Sequence, residues 1–272
     1  MTATVRTVFP DTLWKIAHLH ETSVEALVTA NAQRPTNEIF ADEIRVPKIH
    51  VTSRGDTLAS IANANRISVP DLAMANAYVA FRAGIDIPAP ERLSPPMETF
   101  NTLDDIASSM KASVAAIAEA NAETRGLLAP GAPLVVDGVT VKVTADMSIL
   151  DVAEALRATP AKIAAQNAKV EDIFQRDQRV VVRDYVLQSG DSFFTLWQQN
   201  VAWTIPVIAD HARDTPDLFE VGVALFVRIA AKLEPSSDTL DQIARAAGVG
   251  IEQLAIANSA TSLKHNGTLL TA

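Results

Sequence analysis

The stretch DTLWKIAHLHETSVEALVTAN, Asp11 to Asn31, reads as two short helices around a polar turn, opened by an Asp-Thr pair and closed by an Asn. Its outline returns along the whole chain. The closing slot is held by Asn31, Asn76, Asn121, Asn167, His211 and Asn258, at spacings of 45, 45, 46, 44 and 47 residues. Twenty residues upstream of each stands an opening residue: Asp11, Asp56, Asn101, Met147, Asp191 and Asp238. A period of this size identifies a repeat architecture.

Inside each repeat the apolar positions keep a helical period. Two residues after the opener come Leu13, Leu58, Leu103, Ile149, Phe193 and Leu240. An aliphatic-Ala pair follows at Ile16-Ala17, Ile61-Ala62, Ile106-Ala107, Val152-Ala153 and Ile243-Ala244, with Leu196-Trp197 the exception. Residues three and four apart share one helix face, so this stripe packs the first helix. A second stripe, at Leu27, Leu72, Ile117, Ile163, Val207 and Leu254, packs the second.

Outside the helix pair the composition turns β-branched and alternating, as in Val5 to Val8, Ile44 to Val46, Ile49 to Thr52, Ile85 to Ile87, Val139 to Val143 and Val180 to Val182. Each repeat therefore reads strand, helix, helix, strand. The segment from closing Asn to second strand varies in length and holds Pro35, Gly84, Pro130-Gly131, Gly222 and Gly267, which marks a surface loop.

The chain has 272 residues, 48% hydrophobic and only 5% aromatic, which suggests many small cores. A net charge of −9 repels phosphate backbones and anionic headgroups, so neither nucleic acid nor membrane insertion is expected. No cysteine is present, which removes disulfides and thiolate chemistry. The five histidines show no metal-ligand spacing, and no nucleophile-elbow, Walker or dinucleotide motif occurs, so neither enzyme activity nor a cofactor or metal is expected. Asn266-Gly267-Thr268 is a formal glycosylation sequon.

Gly55-Asp56-Thr57-Leu58, the Ile-Ala pairs, the Leu-x-x-Ala-Asn endings and Pro130-Gly131 before a β-branched strand resemble the lysin motif, LysM. The resemblance spans the chain as six tandem copies, at residues 1–47, 48–90, 91–137, 138–183, 184–229 and 230–272. It implies an α+β fold of six β-α-α-β repeats, each helix pair packed on a two-stranded antiparallel sheet. It also implies ligands containing N-acetylglucosamine, peptidoglycan or chitin, and an extracellular, periplasmic or cell-surface location.

By resemblance the ligand lies in a shallow groove between two loops of each repeat. The first loop is Asp11 to Leu13, Gly55 to Leu58 or Gly190 to Phe193, and the second is Gln33 to Ile39, Tyr78 to Gly84 or Asp214 to Phe219. The expected glycan-binding residues are Asp11, Thr12, Leu13, Arg34, Asn37, Ile39, Gly55, Asp56, Thr57, Leu58, Tyr78 and Phe81. Free backbone groups at a helix start and one apolar wall suit an acetamido sugar. Repeats three to six depart further from the pattern, with Phe100, Asp146 and Ser237 in place of the opening Gly and His211 in place of Asn.

Bland roles stand beside these. The opening Asp residues are expected to cap helices, worth about 1 kcal/mol each. The closing Asn residues are expected to end the second helix in a left-handed conformation. Trp14 and Phe194 share a position that elsewhere holds Asp104 and Asp241, so that position is at least partly exposed. Phe193, Phe194, Trp197 and Trp203 suggest a repacked core or interface in the fifth repeat. A repeat of this size is near the lower limit for independent folding, so contacts between neighbouring repeats should contribute. A scaffold of degenerate repeats, its grooves filled by other repeats, is the alternative to glycan binding. The chain's last residues stop inside a strand pattern, which suggests a piece of a larger protein with further domains.

Overall fold

Helix starts set the repeat. In the computed structural model, which describes residues 3–8, 11–96, 100, 102–266 and 268–271, the chain opens with β1 (Ala3–Arg6), α1 (Leu13–Leu19), α2 (Val24–Ala30) and α3 (Thr36–Ile39). There follow β2 (Ile44–Val51), α4 (Leu58–Asn65), α5 (Val69–Ala75), β3 (Asp86–Leu93), α6 (Leu103–Met110), α7 (Val114–Ala120) and β4 (Pro133–Val136). The second half holds β5 (Val139–Lys142), α8 (Ile149–Leu156), α9 (Pro160–Asn167), β6 (Val181–Val186), α10 (Phe193–Gln199), α11 (Ile205–His211), β7 (Ala224–Leu233), α12 (Leu240–Ala247), α13 (Ile251–Ala257) and β8 (Thr268–Thr271). The opener Asn101, the residues Phe9 and Pro10, and the loop residue Gly267 lie outside the described residues.

Capping falls one residue later than expected. Thr12, Thr102, Ser148, Ser192 and Thr239 are the N-caps, each accepting the backbone N–H three residues on. The Asp before them does a different job: Asp11, Asp56 and Asp191 accept the backbone N–H of Val8, Ser53 and Gln188 at 2.7, 2.8 and 2.8 Å, closing the turn that leads in from the strand. At Thr102 the cap is reciprocal, since Asp105 accepts the Thr102 N–H at 3.0 Å while Thr102 accepts that of Asp105. Thr102→Ala is expected to lower stability by about 1 kcal/mol in urea unfolding, with Ser109→Ala on the same helix as a near-neutral control.

Both stripes point inward. Leu13, Leu58, Leu103, Ile149, Phe193 and Leu240 are all buried, as are Leu27, Leu72, Ile117, Ile163 and Leu254. The fifth repeat is displaced by one position: Ile208 is buried where Val207 was expected, Ala212 is the C-cap of α11, and His211 is exposed.

Helix pairs and two-stranded antiparallel sheets give the expected α+β fold, but among the described residues no strand pairs within its own repeat. Pairing is nested: β1 with β8, β2 with β7, β3 with β6, and β4 with β5. The first repeat thus shares its sheets with the sixth, the second with the fifth, and the third with the fourth. Expected contacts between neighbours in sequence are replaced, for the outer repeats, by contacts with remote ones. A physical reason lies in the linkers. β2 runs from the strand closing the first repeat straight into the one opening the second, with only Pro47-Lys48 between them, too few residues for the chain to fold back. Proline cannot donate to a ladder, and the register shifts where Pro47 and Pro88 occur, between Val46 and Pro47 and after Pro88.

The molecule divides into two compact units, Met1–Thr52, Ala62–Ile67 and Gly222–Ala272 in one, Ser53–Ile61 and Ser68–Val221 in the other. In the first, Leu13, Ile16, Leu27 and Val28 share a core with Leu240, Ile243, Leu254, Leu263 and Leu269. In the second, Leu103, Ile106 and Ile117 share one with Ile149, Val152, Ile163 and Val180. A core is therefore assembled from two repeats rather than one.

The closing Asn residues lock this exchange. Asn31 donates to the carbonyls of Leu27 and Leu270, both at 2.8 Å, and accepts the Leu270 N–H. Asn121 makes the same three bonds with Ile117 and Val181, Asn167 with Ile163 and Val135, and Asn258 with Leu254 and Arg45. The left-handed ending expected of them is absent: Asn31, Asn76, Asn121 and Asn258 have φ of −107, −119, −114 and −111°. Left-handed residues close the first helices instead, at Lys111, Arg157 and Gly248.

Candidate functional site

The exchange of strands also exchanges loops. In the first compact unit the loop at Asp11 to Leu13 meets the segment after α13: Leu263 donates its N–H to the Asp11 carbonyl at 2.9 Å, and Thr12 bridges Ser262. The same segment reaches Ile39, whose carbonyl accepts the Lys264 N–H at 2.8 Å. Residues 262–264 thus stand between Asp11–Thr12 and Ile39. Thr36 and Asn37 donate to the carbonyls of Asp238 and Ser236 at 2.9 and 3.0 Å, and Arg34 bonds the Thr268 carbonyl and pairs with Glu38.

The second compact unit follows the same plan. Gly55 donates its N–H to Asp217 at 2.7 Å, and Asp217 returns its own N–H to the Asp56 carbonyl at 3.0 Å. Arg82 donates to the Leu218 carbonyl at 2.9 Å, so residues 217 and 218 stand between Gly55–Asp56 and Arg82. Thr57 caps α4 by accepting the Ser60 N–H at 3.0 Å. Of the expected residues, Leu13, Ile39, Leu58 and Phe81 are buried, and Asp11 is 4% exposed. The exposed ones are Asn37, Gly55 and Tyr78. Asp11 is held below the ordinary carboxylate range by Lys15, 2.8 Å away, and the Val8 N–H, which together outweigh its desolvation.

One face of the second unit is different in kind. Tyr78, which follows α5, sets its ring 4.6 Å from that of Phe194 at the start of α10, tilted by 39°, and Phe194 lies 5.7 Å from Trp197. Tyr78 is 76% exposed and Trp197 39%. With Met74, Thr204 and Pro206 these rings line an open cleft of about 380 Å³. The face is held rigidly, because Phe194 donates its N–H to the Ala77 carbonyl at 2.9 Å and Phe81 donates to Asp191 at 2.7 Å. Behind it Phe81 packs edge-on against Phe193 and against Phe219.

Tyr78 was named from sequence for its place in the second loop; its partners were not. Phe194 carries a signal in the sequence, a position that accepts both Asp and an aromatic, and Trp197 carries another as the exception in the aliphatic-Ala pairs, but their juxtaposition with Tyr78 spans the second and fifth repeats. Of the fifth-repeat aromatics, Phe193 and Trp203 are core, and Phe194 and Trp197 form the surface.

A larger cleft, about 770 Å³, opens in the first unit between the β2–β7 pair and α12. Its walls combine aliphatic residues such as Val46, Ile49 and Val249 with Lys48, Asp238 and Gln242, and no aromatic ring is among them. Without a ring it offers no flat apolar platform on which a sugar face could stack. Among the described residues no group of three or more His, Cys, Asp or Glu is placed to hold a metal ion, and no helix is long and apolar enough to cross a membrane.

The LysM domain model matches this chain at three stretches, residues 10–44, 50–82 and 236–269. These are the first, second and sixth repeats. LysM domains are in general non-catalytic modules that bind glycans containing N-acetylglucosamine. No curated protein and no solved structure matches the chain.

Proposed function

We propose, from the three LysM segments, that this protein is a non-catalytic binder of peptidoglycan or chitin, that all six stretches (1–47, 48–90, 91–137, 138–183, 184–229 and 230–272) are lysin-type repeats, and that it acts outside the cytoplasm or at the cell surface. The observation that carries the binding reading is the Tyr78–Phe194–Trp197 face beside a loop junction of the second and fifth repeats. A pyranose ring presents a flat C–H face that stacks on aromatic rings, while its hydroxyl and acetamido groups take hydrogen bonds from a polar rim. Thr204 and the Tyr78 hydroxyl supply such a rim here. In the first unit the exposed Asn37 and the half-buried Arg34 and Thr12 form a polar surface that would contact the same polymer.

A single shallow site of this kind is weak, and several on one chain gain through effective concentration on a polymeric ligand. The scaffold reading has one observation in its favour. Backbone groups that a sugar would use at Gly55, Asp56 and Asp11 are already engaged by Asp217 and Leu263. Binding therefore rests on the aromatic face more than on loop backbone.

Sedimentation with insoluble peptidoglycan and with chitin tests the proposal. The protein is expected to pellet with at least one polymer, and Tyr78→Ala to weaken binding by roughly tenfold, the effect of losing an aromatic contact of about 1.5 kcal/mol. Val201→Ala, exposed on the same unit outside the cleft, should leave binding unchanged. Recovery of the protein in the supernatant with both polymers would favour the scaffold.

A further inference from the structure

β3 and β6 bring two carboxyl groups together. Asp184 on β6 is opposite Pro88, and Asp86 is two residues before Pro88, so the two acids are diagonal neighbours on one face of the strand pair. Asp184 is 6% exposed, and its Oδ2 accepts the Ser113 N–H at 2.6 Å, holding the α6–α7 turn to the sheet. Its other oxygen, Oδ1, is buried and receives no N–H or O–H among the described residues. A buried carboxylate oxygen left without a donor costs about 1–3 kcal/mol, so such atoms are rare.

The surroundings narrow what satisfies it. Arg92 on β3 spends both terminal nitrogens on carbonyls, Nη1 on that of Met110 at 2.8 Å and Nη2 on that of Asp184, while its buried Nε makes no hydrogen bond to Oδ1 or to any other described residue; its guanidinium lies over Tyr185 and Trp203, 5.6 and 5.1 Å from the ring centroids. Lys111, after α6, donates to the Tyr185 hydroxyl at 3.1 Å. Glu119 on α7 and Asp210 and His211 on α11, the helices packed on these strands, are exposed at the surface. The Asp86 carboxyl, diagonal to Asp184 across the strand pair, is within hydrogen-bonding reach of the Asp184 carboxyl.

We propose that Asp86 and Asp184 share one proton, Asp86 donating it to Asp184 Oδ1, and that this pair is a pH-sensitive latch on the β3–β6 strand pair. With the proton present, one negative charge faces Arg92 and the orphan oxygen is bonded. With it lost, two carboxylates repel across the strands. Those strands carry the loop backbone behind the aromatic face, where Gly84 and Ile85 bond Leu187 at 2.8 and 2.9 Å. The latch does not depend on what that face binds.

The electrostatics agree. Partial desolvation and the neighbouring Asp184 charge push the Asp86 carboxyl up from 3.8 to about 6, against a hydrogen bond from Ser113 that pulls it down. A raised carboxyl pKa means that the folded chain binds the proton more tightly than the unfolded chain does. Its contribution is therefore fully present below about pH 3.8 and is lost as pH rises through 6.

Carboxyl-carbon NMR titration of the full chain tests the pair. Asp86 is expected to titrate near 6 in the parent, and Asp184→Asn to return it towards 3.8. As a second measurement, the melting temperature of Asp86→Asn minus that of the parent should rise between pH 4 and pH 7. A parent Asp86 titrating near 3.8 would overturn the proposal, as would a value near 6 that survives Asp184→Asn, or a melting difference that is flat with pH.

Discussion

Deleting residues 235–272 will unfold α1 and α2, two hundred residues away in sequence, although every residue of the first repeat remains. β1 loses its ladder partner β8, and Leu13, Ile16, Leu27, Val28 and Ile39 lose Leu240, Leu254, Leu263 and Leu269. Exposing five such aliphatic side chains costs about 1.5–3 kcal/mol each, which together is as large as the roughly 5–15 kcal/mol that hold an ordinary domain. Hydrogen exchange read by mass spectrometry checks this. Peptides covering residues 13–30 should be well protected in the full chain and exchange as an unfolded chain in the truncated one. Protection that survives the deletion would mean that the first repeat folds on its own, with its sheet closed between its own strands.

Asn121→Ala will cost about 3 kcal/mol in urea unfolding, far above the few tenths expected for a residue that only ends an exposed helix. The amide makes three bonds of 2.7, 2.7 and 2.9 Å, to the carbonyls of Ile117 and Val181 and from the Val181 N–H. Removing it leaves buried backbone groups of β6 without partners, at about 1–3 kcal/mol for each group that water does not reach. Asn121→Asp should be no better, because it replaces the donor by a buried charge. Glu119→Ala, two residues away and exposed, is the control, and a loss no larger than its own would return Asn121 to a simple helix terminator.

Both predictions concern things that only partly show in sequence. Tyr78 was visible as a loop aromatic, and Phe194 as an exposed position, because each needs only its own repeat to be read. Their meeting at 4.6 Å needs the second and fifth repeats to be paired. Asp86 and Asp184 are ordinary acids in sequence, and nothing short of the β3–β6 register makes them neighbours. The Asn at the end of Leu-x-x-Ala-Asn was legible as structural, but the strand it grips was not.

What the amino-acid order determined by itself is the repeat: its period, its two amphipathic helices, and the strand-forming stretches outside them. Helices form from hydrogen bonds four residues apart and from side-chain stripes, so their information is local. Which strand pairs with which was decided only by the tertiary structure. A β-ladder uses backbone groups that every residue carries, and Ile44 to Val46 would satisfy β1 as readily as β8 does. The choice follows from short proline linkers that fuse consecutive strands, and from cores that close only when two repeats contribute to each.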